Sequence, residues 1–177
     1  MEEVLREESE AAVIIIGIDN GSTGGAAIIW GGTQAPSVYP APTVPGSKPP
    51  VLDERGMVSI LGYAKEGGPV HAFVEIVHFL PKQSSQAGGK YGIGHGLWRG
   101  MLVALGIPYT LVLPQTWQKA MLAGMAYRGN TKPCAIERAH QLFPGVNLRA
   151  SERCRCDHDG MADALLIAEY GRRQVNG

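Results

Sequence analysis

The chain has 177 residues, the length of one compact domain with a sizeable core rather than two. Hydrophobic residues make up 45% and charged residues 18%, which excludes a largely disordered chain, and no apolar run approaches the roughly 18 residues of a membrane span. Sixteen Lys and Arg balance sixteen Asp and Glu, so net charge alone points away from a nucleic-acid partner.

Glu2, Glu3, Glu7, Glu8 and Glu10 stand against one basic residue, Arg6, at the start of the chain. That is the reverse of a cationic secretory or organellar signal. Residues 1–12 are expected as an acidic flexible tail, residues 13–177 as one domain, and the setting as cytoplasmic and reducing, with Cys134, Cys154 and Cys156 as free thiols. Val13 to Ile18 is a β-branched run without polar alternation, the pattern of a central strand covered on both faces. Asp19 closes it. The turn composition of Asn20 to Gly25 leads into a second strand, Ala26 to Trp30, which makes a hairpin.

Pro36, Pro40, Pro42, Pro45, Pro49 and Pro50 forbid a helix in the next segment and leave room for a short edge strand near Ser37 to Tyr39. Asp53 to Lys65 has apolar residues at helical spacing, and Pro69 to Val77 is a buried strand that contains Glu75. After the glycine-rich stretch Gly88 to Gly96, a helix is expected over Tyr91 to Leu105, with small residues on one face. Then come a strand over Tyr109 to Leu113, a short helix opened by Pro114 and Thr116 and running through Leu122, a helix capped by Thr131, a polar loop over Arg149 to His158, and a last helix from Asp159 or Gly160. A hairpin followed by alternating strands and helices is an α/β sheet of mixed direction.

The zero net charge hides an uneven distribution. No Asp or Glu occurs from Ile76 to Ile136, whereas Lys82, Lys90, Arg99, Lys119, Arg128 and Lys132 all do, and Arg149, Arg153 and Arg155 follow. A merely solvated surface usually mixes signs. Trp117, Phe79 and Tyr91 are either core or platforms for a base.

Two carboxylates sit where strands should be apolar, Asp19 and Glu75, and Asp159 and Asp163 share one face of the last helix at i, i+4 spacing. Each has an ordinary reading: Asp19 as a turn former, Glu75 as an edge-strand or surface position, Asp159 as a helix N-cap and Asp163 as a first-turn acid favoured by the helix dipole. Together they suggest a metal site, because buried like charges repel and a hard divalent cation removes that repulsion. Asp157 and His158 adjoin the pair and are further candidates. Cys154, Cys156 and His158 lack a fourth ligand at a spacing usual for structural zinc.

Gly17-Ile18-Asp19-Asn20-Gly21-Ser22 before an Ala-Ile-Ile strand, Val74-Glu75 ending a later one, and Asp159-Gly160-Met161-Ala162-Asp163-Ala164-Leu165-Leu166 near the end resemble, in order, the RuvC family of Holliday junction resolvases, particularly its phage-type members. The resemblance implies a ribonuclease H-like fold and a homodimer that nicks two strands of a four-way DNA junction symmetrically. It also implies two Mg²⁺ or Mn²⁺ ions per site. By position Asp19, Glu75 and Asp163 match the family's catalytic, metal-holding acids. Asp159 matches the fourth less cleanly, since many relatives place it where this chain has Gly160, which leaves Asp157 or His158 as substitutes. DNA contacts would draw on Lys82, Gln83, Ser84, Lys90, Lys119 and Lys132, and the Tyr91 to Leu105 helix is a candidate dimer face.

Asp19-Asn20-Gly21-Ser22-Thr23-Gly24 also resembles the phosphate-binding turn of sugar kinases and actin-like ATPases, but those need a second such domain, for which this chain is too short. Other ribonuclease H-like nucleases, acting on duplex DNA or RNA–DNA hybrids, are the nearer alternative.

Overall fold

In the computed structural model, residues 12–76, 85–125 and 130–177 are described, with the side chains of 85–88, 90 and 91 left aside. Five strands and five helices follow in the order β1 (Ile14–Asp19), β2 (Gly25–Ile29), β3 (Ser37–Pro40), α1 (Glu54–Glu66), β4 (Val70–Glu75), α2 (Ser85–Ala104), β5 (Tyr109–Val112), α3 (Pro114–Met121), α4 (Lys132–Leu142) and α5 (Asp159–Asn176). The sheet order is β3-β2-β1-β4-β5. The hairpin strands run antiparallel, while β1, β4 and β5 are parallel, as crossovers through helices require. The chain therefore has the mixed, helix-flanked α/β sheet of a ribonuclease H-like fold.

β1 is buried on both faces because each face carries its own core. Ile14, Ile16 and Ile18 pack with Met57, Leu61, Trp98 and Leu102 of α1 and α2. Ile15 packs on the other side with Leu165, Leu166 and Ala168 of α5 and with Trp117 of α3. The uninterrupted apolar run follows directly from this two-sided cover.

Most element boundaries fall within a residue or two of the sequence expectation. Two details differ. The stretch expected as a glycine-rich lead-in belongs to α2, which begins at Ser85. Thr131 makes no side-chain cap on α4; Asn130 Oδ1 instead accepts from the Lys132 N–H at 3.2 Å, since an amide side chain one residue earlier reaches the same orphan donor. Residues 1–11, together with Phe79, Lys82, Gln83, Ser84 and Arg128, lie outside the described residues. Among those described, no helix is long and apolar enough to cross a membrane.

Candidate active site

Strand register brings the first two acids together. Ile18 pairs in parallel with Val74, and both point into the α1/α2 core. Since successive strand residues alternate faces, Asp19 and Glu75, one step further on, sit side by side on the opposite face. That is the α5 face.

Glycines let α5 approach closely enough to complete the group. A Cβ on Gly17 would lie 2.1 Å from Ala164 O and 2.3 Å from Ala168 N, so the helix backbone rests directly on β1. One turn earlier, a Cβ on Gly160 would lie 2.4 Å from Thr23 O in the hairpin turn. Between these two contacts is Asp163, with Asp159 at the helix start. Neither Gly17 nor Gly160 was distinguishable in sequence from the other glycines. Their role shows only in the packing, Gly17 against Ala164 and Ala168 of α5 and Gly160 against Thr23 and Gly24 of the hairpin turn.

The carboxylates influence one another strongly. Burial, then the charges of Glu75, Asp163 and Asp159, push Asp19 well above the usual carboxylate value, against a weak contact from the Gly21 N–H at 3.4 Å. Burial, followed by the Glu75 and Asp159 charges, raises Asp163 to about 7 although Lys132 opposes the shift. Burial raises Glu75 too, with a hydrogen bond from Trp117 opposing it. Asp159 differs: burial works to raise it, but the Lys132 ammonium, ion-paired with Oδ2, holds it below the ordinary range.

Three residues around Glu75 were not assigned to the site from sequence. Trp117 Nε1 donates to Glu75 Oε1 at 2.8 Å. The buried Asn20 Nδ2 donates to the Glu75 carbonyl and lies 3.4 Å from His95 Nδ1. A Cβ on Gly94 would meet Asn20 O at 2.2 Å, so α2 is seated directly on the turn after β1. Burial, then the Arg99 charge, keeps the His95 imidazole below its usual pKa.

The neighbours of Asp159 have other engagements. Asp157 Oδ2 meets His140 Nε2 at 2.8 Å, tying the loop before α5 to α4. His158 is the N-cap of α5, its Nδ1 accepting from the Met161 N–H at 3.3 Å. Of the DNA-contact candidates, Lys119 is exposed on the last turn of α3, and Lys132 is bound to Asp159 rather than standing clear of the acids. Lys90 lies in α2, its side chain outside the described residues.

The donor chemistry suits a hard divalent ion, since Asp19, Glu75 and Asp163 offer carboxylate oxygens whose mutual repulsion a cation would relieve. The side chains as they stand do not close around one point: among the described residues no group of three or more His, Cys, Asp or Glu is arranged to hold a metal. Asp159 is turned to Lys132 and Glu75 to Trp117.

The chain matches no protein-family model and no curated protein. Its structure is similar to that of Thermus thermophilus RuvC in complex with Holliday junction substrate, with a TM-score of 0.60 at 19% identity over 93% of this chain and 96% of that one. A second Thermus thermophilus RuvC structure gives a TM-score of 0.56 at 19% identity, over 92% and 97%.

Proposed function

We propose that this protein is a metal-dependent, structure-selective endonuclease that resolves four-way DNA junctions by paired symmetric nicks, acting as a homodimer in the cytoplasm of a bacterial or phage-infected cell. One observation carries the reading. Acids far apart in the chain, Asp19, Glu75, Asp159 and Asp163, meet where two parallel strands end and α5 begins, and their charges act on one another. A merely structural role does not account for this, since isosteric neutral residues would remove the repulsion. The likeness of the whole fold to RuvC supports the choice of substrate.

Asp19, Glu75, Asp163 and Asp159 would hold Mg²⁺ or Mn²⁺, two ions in the fullest form of the reading. Bound there, the metal would supply charge to draw in the scissile phosphate and acidity to activate a water. The protein's own contribution is geometric. β1 and β4 fix two carboxylates on rigid strand ends, Gly17 and Gly160 set the depth of the third and fourth, and Lys132 balances part of their charge until substrate and metal arrive. Lys119, with the basic residues of the acid-free stretch, would neutralise backbone phosphates. Junction preference would come from shape and from the spacing of two sites in a dimer.

The test is cleavage of labelled four-way junction, linear duplex and RNA–DNA hybrid in Mg²⁺, Mn²⁺ and EDTA. Symmetric nicks in the junction alone, absent in EDTA, are expected. Preferential cutting of duplex or hybrid would transfer the assignment to another ribonuclease H-like nuclease.

A further inference from the structure

Three tryptophans occur in the chain, and their indole N–H groups have different fates. Trp30 Nε1 donates to Ser37 Oγ at 3.0 Å, on the edge of the sheet. Trp98 Nε1 is fully buried with no hydrogen-bond partner among the described residues. Trp117, 1% exposed, donates to a carboxylate of the acid cluster.

The last arrangement follows from the fold. Glu75 pairs with Val112 at the end of β5, and α3 starts at Pro114, immediately after that strand. Its first turn carries Trp117 back over the sheet into the α5-side core, beside Val112, Ala135 and Leu165. An indole whose ring is locked by packing can present its N–H in only one direction. A glutamate has several rotatable bonds and would otherwise sample many carboxylate positions. Trp117 holds Oε1, Asn20 holds the Glu75 carbonyl, and among the described residues Oε2 has no donor.

We infer that Trp117 is a positioning residue: its indole N–H, aimed from the core, fixes Glu75 so that the carboxylate presents one oxygen, Oε2, to the cation. This deepens the proposed function and rests on that reading.

The experiment compares Trp117→Phe with Trp98→Phe, each removing a buried indole N–H while keeping an aromatic ring. Mn²⁺ affinity is measured by calorimetry on the full chain without DNA, alongside junction cleavage against Mg²⁺ concentration. Trp117→Phe is expected to weaken Mn²⁺ binding by about tenfold or more. Its cleavage should shift to higher Mg²⁺ while the rate at saturating metal stays near wild type; Trp98→Phe should leave Mn²⁺ affinity unchanged. A second measurement needs no core substitution: in the wild-type protein, the Trp117 indole N–H resonance should move on Mg²⁺ addition while those of Trp30 and Trp98 stay fixed. Unchanged Mn²⁺ affinity in Trp117→Phe, equal weakening in Trp98→Phe, or a stationary Trp117 resonance in a protein that binds Mg²⁺ would each overturn the inference alone. Failure of the wild-type protein to bind either ion would overturn the proposed function beneath it.

Discussion

Asp19 and Glu75 stand side by side at the C-terminal ends of two adjacent parallel strands, one step past the Ile18–Val74 pair. Parallel strands lie about 4.8 Å apart, so two carboxylates in register here are near neighbours whatever their rotamers. The sheet therefore imposes charge proximity in a setting that raises both acids. Such an arrangement is unfavourable for stability alone, and a bound cation would relieve it.

Neutralising either strand acid tests this directly. Asp19→Asn and Glu75→Gln keep shape and volume, so the fold should survive. Cleavage of a four-way junction should fall by on the order of a thousandfold or more, while binding in EDTA stays equal or tightens because a charge that repels phosphate has gone. Single-turnover cleavage and gel-shift assays read the two effects separately, and full cleavage by either variant would end the assignment.

Asp163 gives a pH signature. Its pKa in the folded chain is about 7, above the roughly 4 of an unfolded aspartate, so between these values the folded state holds the extra proton. Stability contributed by that proton is present in full near pH 4 and is lost as pH rises through about 7; about three pKa units correspond to something on the order of 4 kcal/mol. In EDTA, thermal stability should therefore drop between about pH 4 and 7, with raised Asp19 adding in the same direction. Mg²⁺ should restore it, and Asp163→Asn should flatten the profile. A metal-free melting temperature that rises across this interval would contradict the electrostatics.

The close approach of α5 to β1 is as exacting as the charges. Gly17→Ala would drive a methyl group into the backbone at Ala164 O, 2.1 Å away, and Ala168 N, 2.3 Å away, so the helix must move. Overpacking of this kind costs about 1–3 kcal/mol or more, and it displaces Asp163 from Asp19. Urea denaturation should report the loss of stability. Cleavage should fall by more than the fraction unfolded accounts for.

Much of this is legible in the sequence, for physical reasons. The β-branched run of β1 and the mostly apolar β4 leave Asp19 and Glu75 conspicuous against their neighbours, and the i, i+4 spacing puts Asp159 and Asp163 on one helix face. What escaped detection depends on tertiary contact. Trp117 reads in sequence as core or as a base platform, and only the β5–α3 connection aims its N–H at Glu75. Asn20 reads as a turn residue, yet it bridges β1, β4 and α2. Lys132 reads as a phosphate contact, but the start of α4 brings it to Asp159.

That position gives Lys132 a measurable role. It lowers Asp159 and opposes the rise of Asp163. Lys132→Met should move the Asp163 titration above about 7 and raise Asp159 toward an ordinary value, both visible in carboxyl-carbon NMR. If neither resonance responds, the ammonium is not coupled to the acid group.

The outer face of α2 offers a stripe on which a second copy could pack. Gly89, Ile93, Gly96, Gly100 and Val103 recur at alternating spacings of four and three, which lines them up as one stripe along the helix. A Cβ at each of these glycines would meet nothing within 4 Å among the described residues, and Ile93 and Val103 are 63% and 66% exposed. A second copy packed on this stripe would bury both apolar side chains, and the glycines would allow the two backbones close approach. Ile93→Glu places a charge in the middle of that contact. It should shift sedimentation from dimer to monomer and convert paired cutting of a cruciform plasmid into single nicks, so that nicked circles accumulate in place of linear product. A wild-type protein that sediments as a monomer at micromolar concentration, or an Ile93→Glu variant that still linearises the plasmid, would remove α2 as the interface.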